Sequence, residues 1–153
     1  MSARTLVEDL VYRCCLYLDA RDFDGFLGLC DPEFRYTVRT YSPEIRQEMI
    51  WLDHDLAGIA LLFRNLPRHN SDHALLSRHV TVYTVDAGQG SSRAEAVSGL
   101  QVFRTTLDGG STSLFAVGKL YDTVKVEGDQ ARLLRRIVKL DTRMLGIGSH
   151  IPF

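Results

Sequence analysis

The sequence predicts an α+β domain in which a curved antiparallel sheet forms a cone covered by three N-terminal helices. Three observations predict it. Apolar residues recur at intervals of three and four in the N-terminal half, the chain after Leu75 alternates at intervals of two, and short glycine-bearing turns punctuate that second part. At 153 residues, 45% hydrophobic and 24% charged, the chain is long enough for one core, so residues 1–153 are expected to form a single domain.

Thr5 and Glu8 have capping-box spacing, and Leu6, Val7, Leu10, Val11, Cys14 and Leu18 then line one face of a first helix. Asp22 can cap a second, short helix carrying Phe23, Phe26, Leu27 and Cys30, which Asp31-Pro32 stops. From Phe34 the period changes to two, with Phe34, Tyr36 and Val38 opposite Arg35, Thr37 and Arg39, which predicts a short strand. Tyr41-Ser42-Pro43-Glu44 reads as a loop. Met49, Leu52, Leu56, Ile59, Phe63 and Leu66 then give a third helix that Pro67 should end. Four strands follow, His79 to Val85, Ala96 to Thr106, Leu114 to Val126 and Leu133 to Leu140, joined by turns at Asp86-Ala87-Gly88, Asp108-Gly109-Gly110 and Glu127-Gly128-Asp129. Sequential hairpins make a meander, and Gly99 and Gly118 are the expected places for a bulge or kink.

Charge narrows the functions. Eighteen Lys and Arg face nineteen Asp and Glu, a net charge of -1, so no global field would gather nucleic acid or anionic lipid. The longest apolar run, Ile59 to Phe63, is far short of the ~20 residues a bilayer span needs. Met-Ser-Ala-Arg does not read as a signal peptide, and a cytoplasmic protein is expected. Cys14, Cys15 and Cys30 are odd in number and badly spaced for disulfides, so they read as core thiols. The positive charge is 15 Arg and 3 Lys, and Arg suits fixed, bidentate ion pairs or interfaces.

The motifs of catalysis are sparse. No Cys-x-His, Cys-x-x-His or Cys-x-x-Cys pattern is present, which argues against a Rieske cluster or zinc site in this chain. His69, His73 and His79 with Asp72 could offer two imidazoles and a carboxylate to iron, but the stretch reads as loop, where a spacing of four does not share a face. There is no Gly-x-Ser-x-Gly elbow, and Gly88-Gln89-Gly90 leads into a strand, not a phosphate-binding helix. General acid–base chemistry in a closed cone is the remaining enzymatic reading. Its candidates are His54, Asp53, Asp55, His79, Tyr83 and Asp122, with His79 beside Asp53 or Asp55 as the pair for a cofactor-free isomerase or dehydratase. Against it, Asp53, His54 and Asp55 fit the solvated side of the third helix.

Arg135 and Arg136 stand mid-strand among Leu134, Ile137, Val138 and Leu140, so one of them shares a face with Leu134 and Val138. A buried guanidinium needs a carboxylate, either Asp122 or Asp141 within the fold or one from a partner chain. The apolar tail ending at Phe153 is expected to dock and be ordered.

These residues also carry a resemblance. Leu18-Asp19-Ala20-Arg21-Asp22-Phe23-Asp24-Gly25-Phe26-Leu27 and Asp31-Pro32-Glu33-Phe34-Arg35-Tyr36 resemble the opening of the nuclear transport factor two-like (cystatin-like) cone fold. Trp51-Leu52-Asp53-His54-Asp55, Ser77-Arg78-His79-Val80-Thr81-Val82, the run from Leu114 to Val124 and the run from Ala131 to Asp141 resemble, in order and spacing, the small (beta) subunit of aromatic-ring-hydroxylating Rieske dioxygenases. The resemblance covers nearly the whole chain. Lys119 stands where the family usually has arginine, the usual tryptophan near Ala131 is missing, and the stretch from Arg64 to Leu75 is unusual, which bears on the substrate class.

The resemblance implies a non-catalytic structural subunit with no catalytic, cofactor-binding or metal residue of its own. It implies a partner large (alpha) subunit holding a Rieske iron–sulfur cluster and a mononuclear non-haem iron, in an assembly of three large and three small chains with the small chains forming a trimer. Electrons would come from NADH through a reductase and often a ferredoxin, and O2 would be used to hydroxylate a small organic substrate, an arene or an alkylsulfonate. Trp51, Arg135, Arg136 and Phe153 are the candidate interface or ordering residues.

Overall fold

A computed structural model describes residues 2–69, 74–88, 90, 92–143 and 153. The described residues form three helices and one six-stranded sheet, in the order α1 (Ala3–Asp19), α2 (Phe23–Gly28), β1 (Cys30–Ser42), β2 (Gln47–Asp55), α3 (Leu56–His69), β3 (Leu75–Asp86), β4 (Arg93–Thr105), β5 (Thr112–Glu127) and β6 (Gln130–Leu140). The strand order is β2-β1-β6-β5-β4-β3. The α+β class and the meander β3 to β6 agree with the sequence pattern. The pairing of β1 with β6 is parallel, a long-range contact that local periodicity does not reveal.

The first helix forms as its apolar face requires, with Leu6, Val7, Leu10, Val11, Cys14 and Leu18 buried. Its cap differs from the expected Thr5–Glu8 box: Ser2 Oγ accepts the Thr5 N–H at 3.2 Å, and Glu8 pairs with Arg4 at 2.7 Å. Asp22 caps α2 by accepting the Gly25 N–H at 3.0 Å. Cys30 belongs to β1, not to this helix, and β1 runs for 13 residues where a short strand was expected. Two strands flank β1 and satisfy its backbone along most of its length.

The third helix is the main departure. Met49, Leu52 and Leu56 have helical spacing, yet residues 47–55 form β2, an antiparallel hairpin partner of β1 across a turn in which Arg46 takes a left-handed φ of 54°. The helix begins only at Leu56, where Asp55 accepts the Gly58 N–H at 2.8 Å as a cap. Nor does Pro67 end it at once. The helix runs to His69, because a proline in the last turn withdraws a single amide from the ladder. Gly99 and Gly118 are not bulges either. The register shifts fall at other positions, and these glycines pair regularly with Lys119 and Leu100. They are close-approach sites: a Cβ at Gly118 would strike the backbone of Lys139, and one at Gly99 would strike the Tyr83 phenol.

Inside the cone, α1, α2 and α3 press Val7, Val11, Phe26, Ile59 and Phe63 onto the inner sheet face of Phe34, Val38, Leu100, Leu120 and Val138. Phe23 and Phe63 stack at 4.2 Å, and Phe26 meets Phe34 and Phe63 edge-on. Along β3, at one edge of the sheet, α1 covers the exposed ladder. Asp19 accepts the Arg78 N–H at 3.1 Å and its Nη1 at 2.7 Å, and the Tyr12 hydroxyl accepts the Val82 N–H at 3.4 Å.

Candidate functional site

The register across the sheet aligns one polar row inside the apolar cone. Ala96 of β4 lies opposite Asp122 of β5, Asp122 opposite Arg136 of β6, Arg136 beside Tyr36 of β1, and Tyr36 opposite His54 of β2. Alternation then sends all of these side chains to the inner face. Arg136 is 1% exposed and Asp122 0%, and they form a bidentate pair, Nε to Oδ1 at 2.8 Å and Nη2 to Oδ2 at 3.1 Å. Of the two carboxylates the sequence offered, Asp122 makes the pair.

The remaining nitrogen of Arg136, Nη1, donates to the backbone oxygen of Phe153 at 3.4 Å, and the Phe153 N–H donates to the Tyr36 hydroxyl at 2.8 Å. Phe153 is 4% exposed, so this residue is docked in the chain's own core; the rest of the tail, 144–152, lies outside the described residues. Burial tends to lower the Arg136 pKa, but the charge and hydrogen bond of Asp122 together with the neighbouring Cys14 and Cys15 outweigh it and hold the guanidinium ionised. Burial pushes the Tyr36 phenol up to about 12 and the Cys14 thiol up to about 12, with the Arg136 charge opposing both only in part. Burial likewise raises Cys15 and Cys30. These are neutral, unreactive thiols.

The proposed acid–base pair is not assembled. His79 projects from β3 at one edge of the sheet, held by Ser77 Oγ at 3.1 Å and set edge-to-face with the Phe103 ring, centroids 5.1 Å apart. Asp53 and Asp55 belong to β2 at the opposite edge, not to a helix. Asp53 accepts from Arg35 Nε at 2.9 Å, which holds its carboxyl below the usual range, and Asp55 caps α3. His54 is half-buried against Gly58, and Asp122 is committed to Arg136. A cleft of about 700 Å³ does lie along β3, lined by Tyr12, Asp19, Arg78, His79, Tyr83 and Lys119 among others, but its Asp19 is bonded to Arg78. Among the described residues no three His, Cys, Asp or Glu side chains gather to hold a metal ion. The stretch that includes His73 and Asp72 lies outside those residues, as does the side chain of His69.

Trp51 is the bulged residue of β2: Val38 pairs with Leu52 and Arg39 with Ile50, so Trp51 has no partner across the ladder and packs half-buried on the core. Arg135 faces outward, donating to Thr123 Oγ1 at 3.3 Å, while Thr123 donates to Glu95 at 2.9 Å. Arg136 and Phe153, in contrast, have almost no surface in this chain to offer a partner. Tyr36 and Asp19 escaped the sequence reading. The only available signals were a phenol on an otherwise apolar strand face and an acid at a helix end, and neither announces its distant partner.

No family model matches the chain. It is 40% identical to the hydroxylase subunit beta of methanesulfonate monooxygenase from Methylosulfonomonas methylovora, over 98% of this chain and 87% of that protein. This chain belongs to the oxygenase beta subunits. It is also 31% identical to the beta subunit of 2-aminobenzenesulfonate 2,3-dioxygenase from an Alcaligenes species, over 95% of this chain and 96% of that one. A solved protein from Novosphingobium aromaticivorans, assigned as the beta subunit of an aromatic-ring-hydroxylating dioxygenase, superposes with a TM-score of 0.81 at 19% identity, covering 99% of this chain and 97% of the other. The cone is thus the nuclear transport factor two-like fold, and the chain is the small (beta) component of an oxygenase. The resemblance in the sequence to this family, and to its sulfonate-oxidising members, is borne out.

Proposed function

We propose that this single-domain chain is the non-catalytic small subunit of a cytoplasmic, multicomponent Rieske non-haem iron oxygenase acting on an organosulfonate. The observation that carries the reading is the 40% identity running through 98% of the chain to a methanesulfonate monooxygenase beta subunit. A second beta-subunit relative, also from a sulfonate oxygenase, supports the substrate class. A cone whose interior is packed with Phe26, Phe34, Ile59 and Phe63 and braced by a closed ion pair suits a rigid scaffold better than a reaction vessel.

In this reading three large and three small chains assemble around a trimer of small chains. The large subunit supplies the Rieske cluster and the mononuclear iron that activate O2, with electrons from NADH through a reductase and a ferredoxin. Trp51 at its bulge and Arg135 on the outer sheet face are the interface residues of this chain; Arg136 and Phe153 order the fold that presents them. The test is co-expression with the large subunit, followed by native mass and iron analysis. A mixed complex of about 1:1 stoichiometry whose iron stays with the large chain on dissociation is expected. A metal-free homodimer that ignores the large chain overturns the reading, and a mixed complex that oxidises arenes but no sulfonate overturns the substrate class.

A further inference from the structure

On the outer face of the sheet the register lines up like charges. Lys119 of β5 stands opposite Lys139 of β6, and Lys139 lies beside Arg39 of β1, so three cations form one cross-strand row. Like charges directly opposite each other on neighbouring strands destabilise a sheet. Two of the chain's three lysines are nevertheless placed there. The row is not neutralised from within. Glu48 is shared, 3.6 Å from Lys139 and 3.8 Å from Arg39, and the exposed Lys119 has no ion pair among the described residues. Asp141, two residues beyond Lys139, makes no ion pair with either lysine. The Nε of Arg39 is buried without a hydrogen-bond partner, a costly state for a guanidinium N–H.

We propose that this row is the docking site for an acidic segment of the large subunit, an inference that rests on the subunit reading above. Carboxylates brought by the partner cancel the repulsion along the row and give Lys119 its missing counter-charge. The Arg39 side chain is 32% exposed, so a turn of its guanidinium brings the stranded N–H to an acceptor outside the chain. A second copy of this chain is the poorer occupant. Its own row would repel this one, and the carboxylates it shows on the same face are engaged, Asp53 by Arg35, Glu95 by Thr123 and Glu48 by the row itself. Half-buried Tyr121 and Ile137, paired across β5 and β6 two residues along, give the segment an apolar floor, and the Tyr121 ring lies 5.1 Å from Lys139 Nζ. Three strands span about 10 Å, so carboxylates on alternate residues of an extended segment, about 7 Å apart, bridge neighbouring cations.

The test pairs the full small chain with the large subunit and measures their affinity by calorimetry between about 0.05 and 0.5 M salt. The parent complex is expected to weaken as salt rises, the mark of charge-driven docking. Lys119→Met breaks no ion pair within this chain, so it should melt with the parent yet bind about tenfold more weakly, as for loss of one charge-assisted bond. Lys119→Glu combined with Lys139→Glu should cost about a hundredfold or more and remove the salt dependence, while Lys119→Arg keeps the parent affinity. Arg4→Glu combined with Arg13→Glu makes the same change of net charge on α1 and should leave the affinity unmoved. A complex indifferent to salt, a Lys119→Met chain that binds as tightly as the parent, or an equal loss in the α1 control overturns the proposal and leaves the subunit reading standing. A parent chain that forms no complex with the large subunit overturns the subunit reading, and this proposal with it.

Discussion

Two arginine–carboxylate pairs on neighbouring parts of the sheet, one bidentate and one joined through Nε, have nearly the same shortest distance and opposite surroundings. Arg136 reaches Asp122 through Nε at 2.8 Å on the inner face, with both side chains at 1% exposure or less. Arg35 reaches Asp53 through Nε at 2.9 Å on the outer face, with side chains 53% and 42% exposed. A tenth of an ångström separates them in length, so distance says nothing about what each contributes. Water is the difference. Outside, it solvates either partner alone and screens the pair; inside, the guanidinium is met by Asp122 and the Phe153 oxygen, and the carboxylate by Arg136. Between the two stands Arg78–Asp19 at 2.7 Å, a buried guanidinium against a carboxylate 28% exposed.

Breaking the inner pair from one side gives the largest effect. Arg136→Ala leaves Asp122 charged, buried and deprived of both bidentate bonds, and releases the Phe153 oxygen as well. Removal of one partner of a buried pair costs about 3–5 kcal/mol, a large share of a small domain's stability of roughly 5–15 kcal/mol. Urea denaturation should show the unfolding free energy falling by that amount, or the chain failing to fold. The double replacement Arg136→Met with Asp122→Leu sharpens the point, since it removes the desolvation cost along with the attraction. It should be far less damaging than Arg136→Ala alone, within about 1–2 kcal/mol of the parent. A double variant as unstable as the single one would show that the pair does more than compensate its own burial.

Asp19→Ala tests the intermediate case. It strips Arg78 of the carboxylate at its Nη1 and removes the acceptor for the Arg78 N–H on the edge of β3. Hydrogen bonds to charged groups contribute about 1.5–3 kcal/mol, and the loss here should fall near the middle of that range because solvent reaches the carboxylate side. Hydrogen exchange should show the effect concentrated at the edge amides, Arg78 and Val82, and little at β6. Uniform loss of protection would mean that α1 anchors the whole sheet through this one residue.

The sequence exposed the inner pair because the cost of burying a guanidinium forces a partner into existence. Arg136 sits in an alternating strand, parity puts it with Val138, and Asp122 was one of two reachable acids. The cone's helical lid and its meander were visible for the same kind of reason: their periods of 3.6 and 2 are local properties. What stayed hidden is what distance in the chain decides. The parallel registry of β1 on β6 spans about a hundred residues, as in Tyr36 beside Arg136. Met49 and Leu52 carry helical spacing that hairpin pairing with β1 overrides, since in an edge strand the neighbour's backbone settles the conformation. Tyr36 looked like one more apolar residue, and its bond to Phe153 cannot be read from either residue alone.

The outer pair should give the smallest effect, and its pH dependence identifies it. Arg35 holds the Asp53 carboxyl below its ordinary range, chiefly by the hydrogen bond from its Nε. The folded value is therefore the lower one. The stability this contributes is present above the ordinary carboxylate pKa, about 3.9 for Asp, and is lost as pH falls through the depressed folded value. Asp53→Asn should leave the urea midpoint at neutral pH nearly unmoved, and any difference from the parent should shrink both as pH falls through that depressed value and in 1 M salt, where the Debye length is about 3 Å. Arg136→Ala should keep its deficit in high salt, because no ions enter the cone to screen it. If the two variants respond to salt alike, exposure is not what separates the pairs, and the contrast between the faces of this sheet has another cause.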